Sequence, residues 1–351
     1  MGDVLVVNAG STSLKLDLVA PDETSTPVDG LEAVDAAGID AVAHRVVHGG
    51  DAFVRPALID SAVRRTIADL EPLAPLHNAP ALDAIDEAMR VLPEAPHVAV
   101  FDTLFHTSMP PEAREYAVPR RWRDEWGVRR YGFHGLSVAW AAERAAALLG
   151  RPAADLRLVV CHLGGGCSVT AVAAGRSCDT TMGFSPLEGV PMATRSGSVD
   201  PAVLVYLERT HGMDADAIDH ALTAESGLLA LGGSGDMREL EAAARDGSDA
   251  ARLAIDVFSH RVAGAVGSMA VAAGGMDAVV FTGGIGEGSP GMRAAISRRL
   301  GVLGAELDPE RNEAVDGDRD IAARSSRARV LVVASREAVV AARAARDVIR
   351  A

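Results

Sequence analysis

Short apolar runs, each followed by a turn of small polar residues, predict the first elements of the chain. Residues 4–7 are all valine or leucine, a pattern typical of a buried strand. In residues 14–18, leucine alternates with Lys15 and Asp17, which is the two-residue period of a half-buried strand. Because residues 8–13 between them are small and mostly polar, we predict a β-hairpin with a hydroxyl-rich turn.

A second hairpin of the same design is predicted near the middle of the chain. Residues 158–161 form an apolar strand, residues 162–168 a turn with three consecutive glycines, and residues 169–173 the return strand. Each hairpin opens roughly half of the chain, which indicates a duplicated two-domain architecture.

A third glycine-rich turn follows another apolar strand. The strand at 278–281 leads into a glycine loop at 282–287 and a predicted helix at 293–300. Strand, glycine loop and helix in this order favour phosphate or nucleotide binding, because backbone N–H groups and a helix N-terminus attract anions.

Further helices are predicted at 138–149, 250–273 and 336–349 from apolar residues at helical spacing. Residues 21–40 are acidic and weakly patterned, so we predict a linker or a short surface excursion. Strands that alternate with helices make this an α/β protein.

Composition narrows the class of protein. A chain of 351 residues favours two domains, and a net charge of −14 argues against a nucleic-acid or anionic-membrane partner. The three cysteines have no metal-site spacing and imply no disulfide framework. Without a signal-peptide pattern or a bilayer-length apolar run, we expect a soluble cytoplasmic protein.

Several charged side chains are candidates for binding a phosphate group. Arg45 and Arg195 lie in glycine-containing segments and supply the positive charge that a transferred phosphoryl group requires, although each fits a buried ion-pair partner as well. Asp102 follows an apolar run, a position typical of a catalytic or metal-facing carboxylate and also of a helix N-cap. His77 and His134, taken singly, fit structural roles better than catalytic ones. Lys15, the only lysine, fits either a phosphate contact or a solvated strand position.

Nine segments together resemble one family. They are VLVVNAGSTSLKL, HRVVHGG, PLHNAPAL, VFDTLFHTSMP, YGFHGLS, CHLGGG, DTTMGFSPLEGVPMATRSG, GDMREL and FTGGIGEGS. Their content and order closely resemble the acetate kinase family, which belongs to the superfamily of sugar kinases, actin and heat-shock chaperone ATPases. The resemblance covers nearly the whole chain.

The resemblance implies two actin-like (ribonuclease H-like) α/β domains with a catalytic cleft between them. The first would comprise residues 1–105 and 336–351, and the second, with the nucleotide site, residues 106–335. The implied reaction is reversible in-line phosphoryl transfer from ATP to acetate, giving acetyl phosphate and ADP. Mg²⁺, with Mn²⁺ as an alternative, would assist, and the family implies a homodimer.

Residue roles follow from the same resemblance. The catalytic residues would be Arg45, Asp102, His134 and Arg195. Arg45 would also bind the substrate, with Val47, Leu76, His77, Phe133 and Pro186. Asn8 and Glu337 would be the metal-linked residues. The nucleotide and its phosphates would meet Ser11, Ser13, Lys15, His162, Gly164, Gly165, Gly166, Asp236, Met237, Arg238, Gly283, Gly284, Ile285 and Gly286.

The chain departs from the family pattern at a few positions. Gly165 stands where an Asn is usual, and Gly288 where an Asn near the nucleotide is common. The segment Ser335-Arg336-Glu337-Ala338 replaces the usual Thr-Asn-Glu-Glu, and the region 21–41 is shorter than in typical members. Three alternatives therefore stay open: a propionate or butyrate kinase, a pyrophosphate-using kinase and a non-catalytic nucleotide-binding relative.

Overall fold

The chain forms two compact units in a computed structural model that describes residues 2–9 and 14–351, without the side chains of residues 75–77. The first unit comprises the described residues of Met1–Thr107, with Tyr116–Trp140 and Arg336–Ala351. The second comprises Ser108–Glu115 and Ala141–Ser335. The segment Tyr116–Trp140 thus lies in the first unit, whereas the sequence analysis assigns it to the second domain.

The first unit is built on a six-stranded mixed sheet. Its strands are β1 (Asp3–Ala9), β2 (Leu14–Val19), β3 (Ser25–Val28), β4 (Ile39–Val46), β5 (Ala57–Leu58) and β6 (His97–Phe101). The order across the sheet is β3-β2-β1-β4-β6-β5. Strands β1, β4 and β6 are parallel, while β2 and β3 form an antiparallel meander with β1.

The second unit repeats this topology. Its strands are β7 (Arg157–Leu163), β8 (Cys167–Ala173), β9 (Arg176–Thr180), β10 (Ala278–Thr282), β11 (Arg319–Asp320) and β12 (Arg329–Val332). The order is β11-β12-β10-β7-β8-β9, with β7, β10 and β12 parallel and β7-β8-β9 antiparallel. The duplicated α/β architecture predicted from the two hairpins is confirmed.

Helices cover the sheets. In the first unit they are α1 (Ser61–Asp69), α2 (Pro75–Val91), α4 (Arg120–Asp124) and α14 (Glu337–Arg350). In the second they are α3 (Pro111–Arg114), α6 (Pro201–His211), α7 (Ala215–Ala224), α8 (Gly227–Gly232), α9 (Met237–Arg245), α10 (Asp249–Ala272), α11 (Gly283–Gly288), α12 (Pro290–Ser297) and α13 (Pro309–Glu313). Helix α5 (Gly135–Leu149) begins in the first unit and ends in the second. None of the described helices is both long and apolar enough to cross a membrane.

Short 3₁₀ helices occur in the connections. They span Leu31–Ala33, Ala36–Gly38, Glu71–Leu73, Leu104–Ser108, Ala153–Asp155 and Gly301–Leu303. The first two lie in the region predicted as a linker, and the same region also contains β3. Because β3 is an exposed edge strand with one neighbour, it lacks the apolar alternation that would have announced it.

Two other local predictions need correction around the third glycine turn. The segment predicted as a loop at 282–287 is largely helical, since α11 spans Gly283–Gly288. The helix predicted at 293–300 begins earlier, at Pro290, because the Ser289 hydroxyl accepts the Met292 N–H and caps α12.

Helix α14 is anchored to the first sheet. It packs on β4, β1 and β6, and Arg343 pairs with both carboxylate oxygens of Glu23 at 2.6 and 2.8 Å. Arg346, which is almost fully buried, donates to the carbonyl of Val19 at 2.7 Å. The first turn of α14 therefore lies at the end of the first sheet where the parallel strands terminate, which brings Glu337 to that edge.

Candidate active site

A charged cluster lies at the carboxyl ends of β4 and β6. Arg45 is the penultimate residue of β4, and Asp102 directly follows β6. Because β4 and β6 are parallel neighbours, the two side chains meet at one edge of the sheet. Arg45 Nε and Nη2 donate to the two Asp102 carboxylate oxygens at 2.9 and 2.5 Å, a bidentate ion pair.

Burial and the neighbouring carboxylates shift the pKa of Arg45 in opposite directions. Asp102 is 1% exposed and the Arg45 side chain 17%. Burial lowers the pKa of Arg45, but the carboxylates of Asp102 and Glu337 outweigh it, so the pKa is raised and the guanidinium stays charged. Arg45 therefore forms the ion pair that the sequence analysis gave as its alternative role.

The ion pair leaves donors on Arg45 for a ligand. A guanidinium has five N–H donors. Asp102 takes two of them and the side-chain carbonyl of Asn8 takes a third, from Nη1 at 3.0 Å. Two donors remain among the described contacts, one on each Nη atom, and that pair of N–H groups can bind a carboxylate or phosphate in a fork.

Asn8 and Glu337 both lie near Arg45 Nη1. The carboxylate of Glu337 is 3.9 Å from this atom and the Asn8 oxygen 3.0 Å. Both are hard oxygen ligands, which suit Mg²⁺ held by few protein groups together with water and substrate phosphates. No three His, Cys, Asp or Glu side chains converge as a metal site anywhere in residues 2–9 and 14–351, apart from the undescribed side chains at 75–77. The donor set therefore fits a metal that arrives with a phosphate ligand rather than one caged by protein.

The loop before α5 contains His134 and is hydrogen-bonded to the backbone of Asp102. His134 has a φ of +60°, in the left-handed region that costs a non-glycine residue about 1–3 kcal/mol. The next residue, Gly135, donates its N–H to the Asp102 carbonyl at 2.9 Å, and a Cβ there would lie 2.2 Å from that oxygen. Phe133, 1% exposed, accepts a hydrogen bond from His106 through its carbonyl.

Asn78 fixes the segment that follows β4. Its side-chain oxygen accepts the His48 N–H and its amide donates to the His48 carbonyl, both at 3.2 Å. The His48 ring packs edge-on against Tyr131 and Phe133. This completely buried amide orients the backbone next to Val47, which is 6% exposed. The sequence analysis quotes the motif of Asn78 without a role, because its partner lies 30 residues away.

The second unit contains a cavity of about 580 Å³ at the ends of β7 and β10. Its lining is Gly164, Gly165, Gly235, Asp236, Met237, Arg238, Gly284, Ile285, Gly288 and Ser289. Glycines dominate, so backbone groups are accessible to a ligand. A cavity of this size falls in the range of small-molecule and cofactor sites.

The glycines of the sequence motifs divide into two kinds. Gly165 and Gly284 are exposed, and a Cβ on either would meet nothing within 4 Å. Gly283, by contrast, is buried with a φ of +77°, and its Cβ would lie 2.8 Å from the Leu163 carbonyl. Gly166, Gly283 and Gly286, with His162, lie outside the residues that line the cavity.

Asp236 and Arg238 begin α9 at the cavity rim. The Asp236 carboxylate caps the helix by accepting the Arg238 N–H at 2.8 Å, and it also pairs with the Arg238 guanidinium. That side-chain hydrogen bond, with the backbone one, lowers the pKa of Asp236 to about 2. The Arg238 side chain is 88% exposed, so its planar group can lie over a bound ring.

Two charged residues that the sequence analysis does not assign hold α11 at its ends. The Glu287 carboxylate accepts the N–H groups of Gly283 at 2.8 Å and Ser335 at 3.0 Å. Arg293, 1% exposed, donates to the carbonyls of Gly286 and Glu287 and to Asn312. Sequence offers little signal for such roles, because their partners are backbone groups.

Arg195 lies in a tight turn near the same cavity. The turn is closed by a hydrogen bond from the Met192 N–H to the Arg195 carbonyl at 3.0 Å. Ala193 N–H donates to the Gly165 carbonyl at 3.3 Å, which joins the turn to the glycine hairpin. The Arg195 guanidinium donates to the Pro186 carbonyl at 3.1 Å, and burial lowers its pKa.

The structure describes only some of the remaining predicted site residues. Lys15 is exposed on β2, opposite Asn8 in the strand register. Ser11 and Ser13, and the side chains of Leu76 and His77, lie outside the described residues. The structure therefore brings Asn8, Arg45, Asp102 and Glu337 together in the first unit, and the glycine turns, α9 and the Arg195 turn together in the second.

Comparisons with known proteins all indicate the same family. The model of the acetokinase family matches residues 29–343. The acetate kinase of Leifsonia xyli subsp. xyli is 46% identical over 348 residues, 97% of this chain and 87% of that protein. The acetate kinase of Deinococcus deserti is 51% identical over 316 residues, 89% of this chain and 79% of that protein.

Solved structures give the same result for the fold. A propionate kinase from Francisella tularensis superposes with a TM-score of 0.93 at 35% identity, covering 99% of this chain and 100% of its own. An acetate kinase from Porphyromonas gingivalis superposes with a TM-score of 0.89 at 32% identity and the same coverage. The two-domain, actin-like α/β fold predicted from the motifs is confirmed.

Proposed function

Because the chain belongs to the acetokinase family, we propose that it is an acetate kinase, transferring a phosphoryl group from ATP to acetate and back. The observation that carries this proposal is the Arg45 guanidinium, which Asp102 and Asn8 fix in place while two N–H donors remain for an anion. A carboxylate substrate needs such a rigid fork.

In this proposal the acetate end of the reaction uses mainly residues of the first unit. Arg45 binds the carboxylate, and the buried side chains of Val47 and Phe133 contact the methyl group, with Leu76, His77 and Pro186 as further substrate contacts by resemblance. Asp102 keeps Arg45 in orientation by its bidentate ion pair. His134, held in a strained backbone conformation before α5, donates a hydrogen bond to the transferred group.

The nucleotide end belongs to the second unit. The cavity of about 580 Å³ offers glycine backbone for phosphates and the Asp236–Arg238 start of α9 for the adenosine. Such a volume supports a nucleotide rather than pyrophosphate as the donor. Arg195 neutralises the charge that spreads over the transferred phosphoryl group.

Acetate requires no strong general base, because its carboxylate is already ionised at neutral pH. What limits the reaction is repulsion between two anions, and fixed arginines reduce it without reorganising. A direct in-line transfer is the simplest path. Asn8 and Glu337 are the residues that would hold Mg²⁺, which supplies charge neutralisation to the phosphates when bound. We place the reaction in the cytoplasm, where ATP and ADP are available.

Propionate kinase is the second candidate. The structure from Francisella tularensis with the TM-score of 0.93 is a propionate kinase. One additional methylene changes binding to a hydrophobic pocket by only about 1–3 kcal/mol. Acceptor preference must therefore be measured.

The test is hydroxamate trapping of acyl phosphates, with Mg-ATP and acetate, propionate or butyrate in parallel. We expect the highest kcat/KM with acetate. Arg195→Ala should lose about 10³–10⁵ in rate, as for an arginine that stabilises phosphoryl transfer. Arg324→Ala, at an exposed arginine of the same unit, is the matched control and should keep wild-type activity.

Two outcomes of this assay would contradict the proposal. If a folded wild-type protein phosphorylates no carboxylic acid with ATP, the kinase proposal is wrong. If propionate exceeds acetate in kcat/KM, the second candidate replaces the first.

We further propose that the chain is a homodimer that associates through α6 and α7. Neither helix has a buried residue, although both contain apolar side chains. Val203, Val205 and Tyr206 are 43%, 43% and 55% exposed, and Val199 just before α6 is 44% exposed. Exposed apolar side chains that cluster in this way are typical of interaction surfaces.

Light scattering after size-exclusion chromatography tests the dimer. The double variant Val203→Asp/Tyr206→Asp should elute as a monomer, because buried unpaired carboxylates oppose association. Val302→Asp, at a valine that is 87% exposed in the same unit, should remain a dimer. A double variant with the wild-type mass would exclude this surface, and a monomeric wild type would exclude the dimer.

A further inference from the structure

A second cavity, of about 310 Å³, lies in the second unit and shares no lining residue with the nucleotide cavity. One wall is the segment 189–199, which includes the Arg195 turn. A second wall is α8, and a third is formed by Val257 and Arg261 of α10. We refer to it as the Arg261 cavity.

Arg261 gives this cavity a positive charge. It is the only ionisable residue in the lining, so no carboxylate faces it there. Among the described residues, none forms an ion pair or a hydrogen bond with its guanidinium. Many arginines of this acidic chain pair with a carboxylate, as Arg45, Arg64 and Arg343 do. An unpaired guanidinium at a cavity therefore indicates a site for an external anion.

Ser198 supplies a second donor. Its hydroxyl oxygen accepts the Gly189 N–H at 3.1 Å, and its own proton has no acceptor among the described residues. The other two serines in the lining differ, because Ser196 donates to the Gly197 carbonyl and Ser226 to the Ala221 carbonyl. The donors left for an anion are therefore Arg261 and Ser198.

The rest of the lining is mainly apolar. Pro191, Val199, Leu231 and Val257 contribute side chains without polar atoms. Such walls favour a short hydrocarbon chain attached to the anionic group, since burying apolar surface adds to affinity. The volume is about half that of the nucleotide cavity, so a nucleotide is not the expected ligand.

We propose that the Arg261 cavity binds a short-chain organic anion, with its single carboxylate or phosphate group held by Arg261 and Ser198. The hydrocarbon part would lie against Val199, Leu231 and Val257.

A ligand in the Arg261 cavity would affect the Arg195 turn, because α8 lines the cavity and is hydrogen-bonded to that turn. Helix α8 clamps the turn, since Leu228 N–H donates to the Met192 carbonyl at 2.8 Å and Leu229 N–H to the Ala193 carbonyl at 2.9 Å. Gly227 has a φ of +65° and approaches so closely that a Cβ would lie 2.2 Å from the Met192 carbonyl. An anion in the cavity contacts both α8 and the segment 189–199, so it restrains the turn. Any effect on catalysis rests on the proposed function; binding does not.

Isothermal titration of the full chain tests the site with two probes, n-butyl phosphate and n-valerate. ADP and acetate are present at saturating concentrations, so that substrate sites are filled. Arg261→Gln should weaken binding at least about tenfold, the loss expected for one charge-assisted hydrogen bond. Arg252→Gln, on the same helix but paired with Asp249 and outside the lining, should bind like the wild type.

A second variant tests the location without altering charge. Ala230→Phe places a ring in the cavity at an exposed alanine and should also weaken binding at least about tenfold. A bound probe should slow hydrogen exchange in residues 189–199. The phosphate and carboxylate arms identify which anionic group is preferred.

The proposal is overturned if neither probe binds the wild type, if Arg252→Gln loses as much affinity as Arg261→Gln, or if Ala230→Phe binds normally. These outcomes are independent of kinase activity. A protein that binds the probe but phosphorylates no acid would refute the proposed function and leave this site standing.

Discussion

The two sheets have the same strand order but end in different chemistry. At the end of the first sheet, Asn8 and Arg45 are register partners on parallel strands, and charged side chains form the site. At the end of the second, His162 and Thr282 are register partners, and glycine turns expose backbone groups around a cavity. The same topology thus places charged side chains at the site of the first unit and mainly glycine backbone around the cavity of the second.

The difference follows from what each ligand would need. A small carboxylate has one anionic group, and a fixed guanidinium binds it with direction and charge. A nucleotide offers a chain of phosphates and a flat base, which many backbone N–H groups can contact at once. Charges are also used in the second unit, but Glu287 and Arg293 act on the backbone of α11 rather than toward the cavity.

The largest expected effect is on the charged end of the first sheet. Arg45→Met should lower kcat/KM for acetate by about 10³–10⁵. It should also destabilise the protein by about 3–5 kcal/mol, because the carboxylate of Asp102, 1% exposed, would lose its bidentate ion pair with Arg45. Enzyme assays and urea unfolding measure both.

Arg64→Met is the matched control, since Arg64 forms an ion pair with Asp86 at side chains that are 41% and 47% exposed. It should cost about 0–1 kcal/mol and leave activity unchanged. Equal losses in the two variants would show that the Arg45 pair is an ordinary surface interaction.

We expect the free energy of unfolding to depend on pH through His44, a buried residue of β4. Burial, and then the charge of His97, lowers the pKa of His44 from 6.5 to about 3. The folded state therefore binds this proton less readily than the unfolded state. Stability from neutral His44 is complete above about pH 6.5 and falls by about 1.4 kcal/mol per pH unit toward pH 3.

His44→Leu should flatten the dependence of unfolding free energy on pH between about 6 and 4 by close to one proton. His220→Leu, at a side chain that is 67% exposed, is the control variant. If the His44 variant keeps the wild-type slope, other groups govern acid unfolding.

Two neighbouring glycines at the end of β10, Gly283 and Gly284, should differ in role, one structural and the other facing the ligand. Gly283→Ala should cost about 1–3 kcal/mol in urea unfolding, because φ is +77° and the new Cβ would lie 2.8 Å from the Leu163 carbonyl. Gly284→Ala should leave stability unchanged, since nothing lies within 4 Å of its Cβ, and should raise KM for ATP. The opposite assignment of the two effects would remove Gly284 from the nucleotide site.

The smallest effect concerns the departure at Gly165. An added Cβ at this exposed position meets nothing within 4 Å, so Gly165→Asn should fold normally. A side-chain amide at the cavity should lower KM for ATP by a few-fold, the value of about one neutral hydrogen bond. Titration with ATP checks this, and an increased KM would mean that the glycine itself is needed for close approach.

Elements with strong periodicity were predictable from the sequence. Strands β1, β7 and β10 are short apolar runs, and α10 and α14 keep apolar residues at helical spacing over long stretches. Strand β3 and helix α11 were not predictable, because an exposed four-residue edge strand and a six-residue glycine helix lack a periodic signal.

The candidate site shows the same division. The residues of the motifs could be assigned by resemblance, since each motif is local. The bond between Arg45 and Asp102 joins residues 57 positions apart, and the clamp of Asn78 on His48 spans 30. The roles of Glu287 and Arg293 have no sequence signal, because their partners are backbone N–H and carbonyl groups, which nearly all residues possess.

The sequence by itself determined the family, the duplicated α/β design and the glycine turns, because these depend on local periodicity and on the order of motifs. Only the tertiary structure decided which donors of Arg45 are occupied, which glycines are structural and that Arg261 faces a cavity without a carboxylate. Those facts depend on distances between residues far apart in the chain, and packing fixes such distances while local patterns do not.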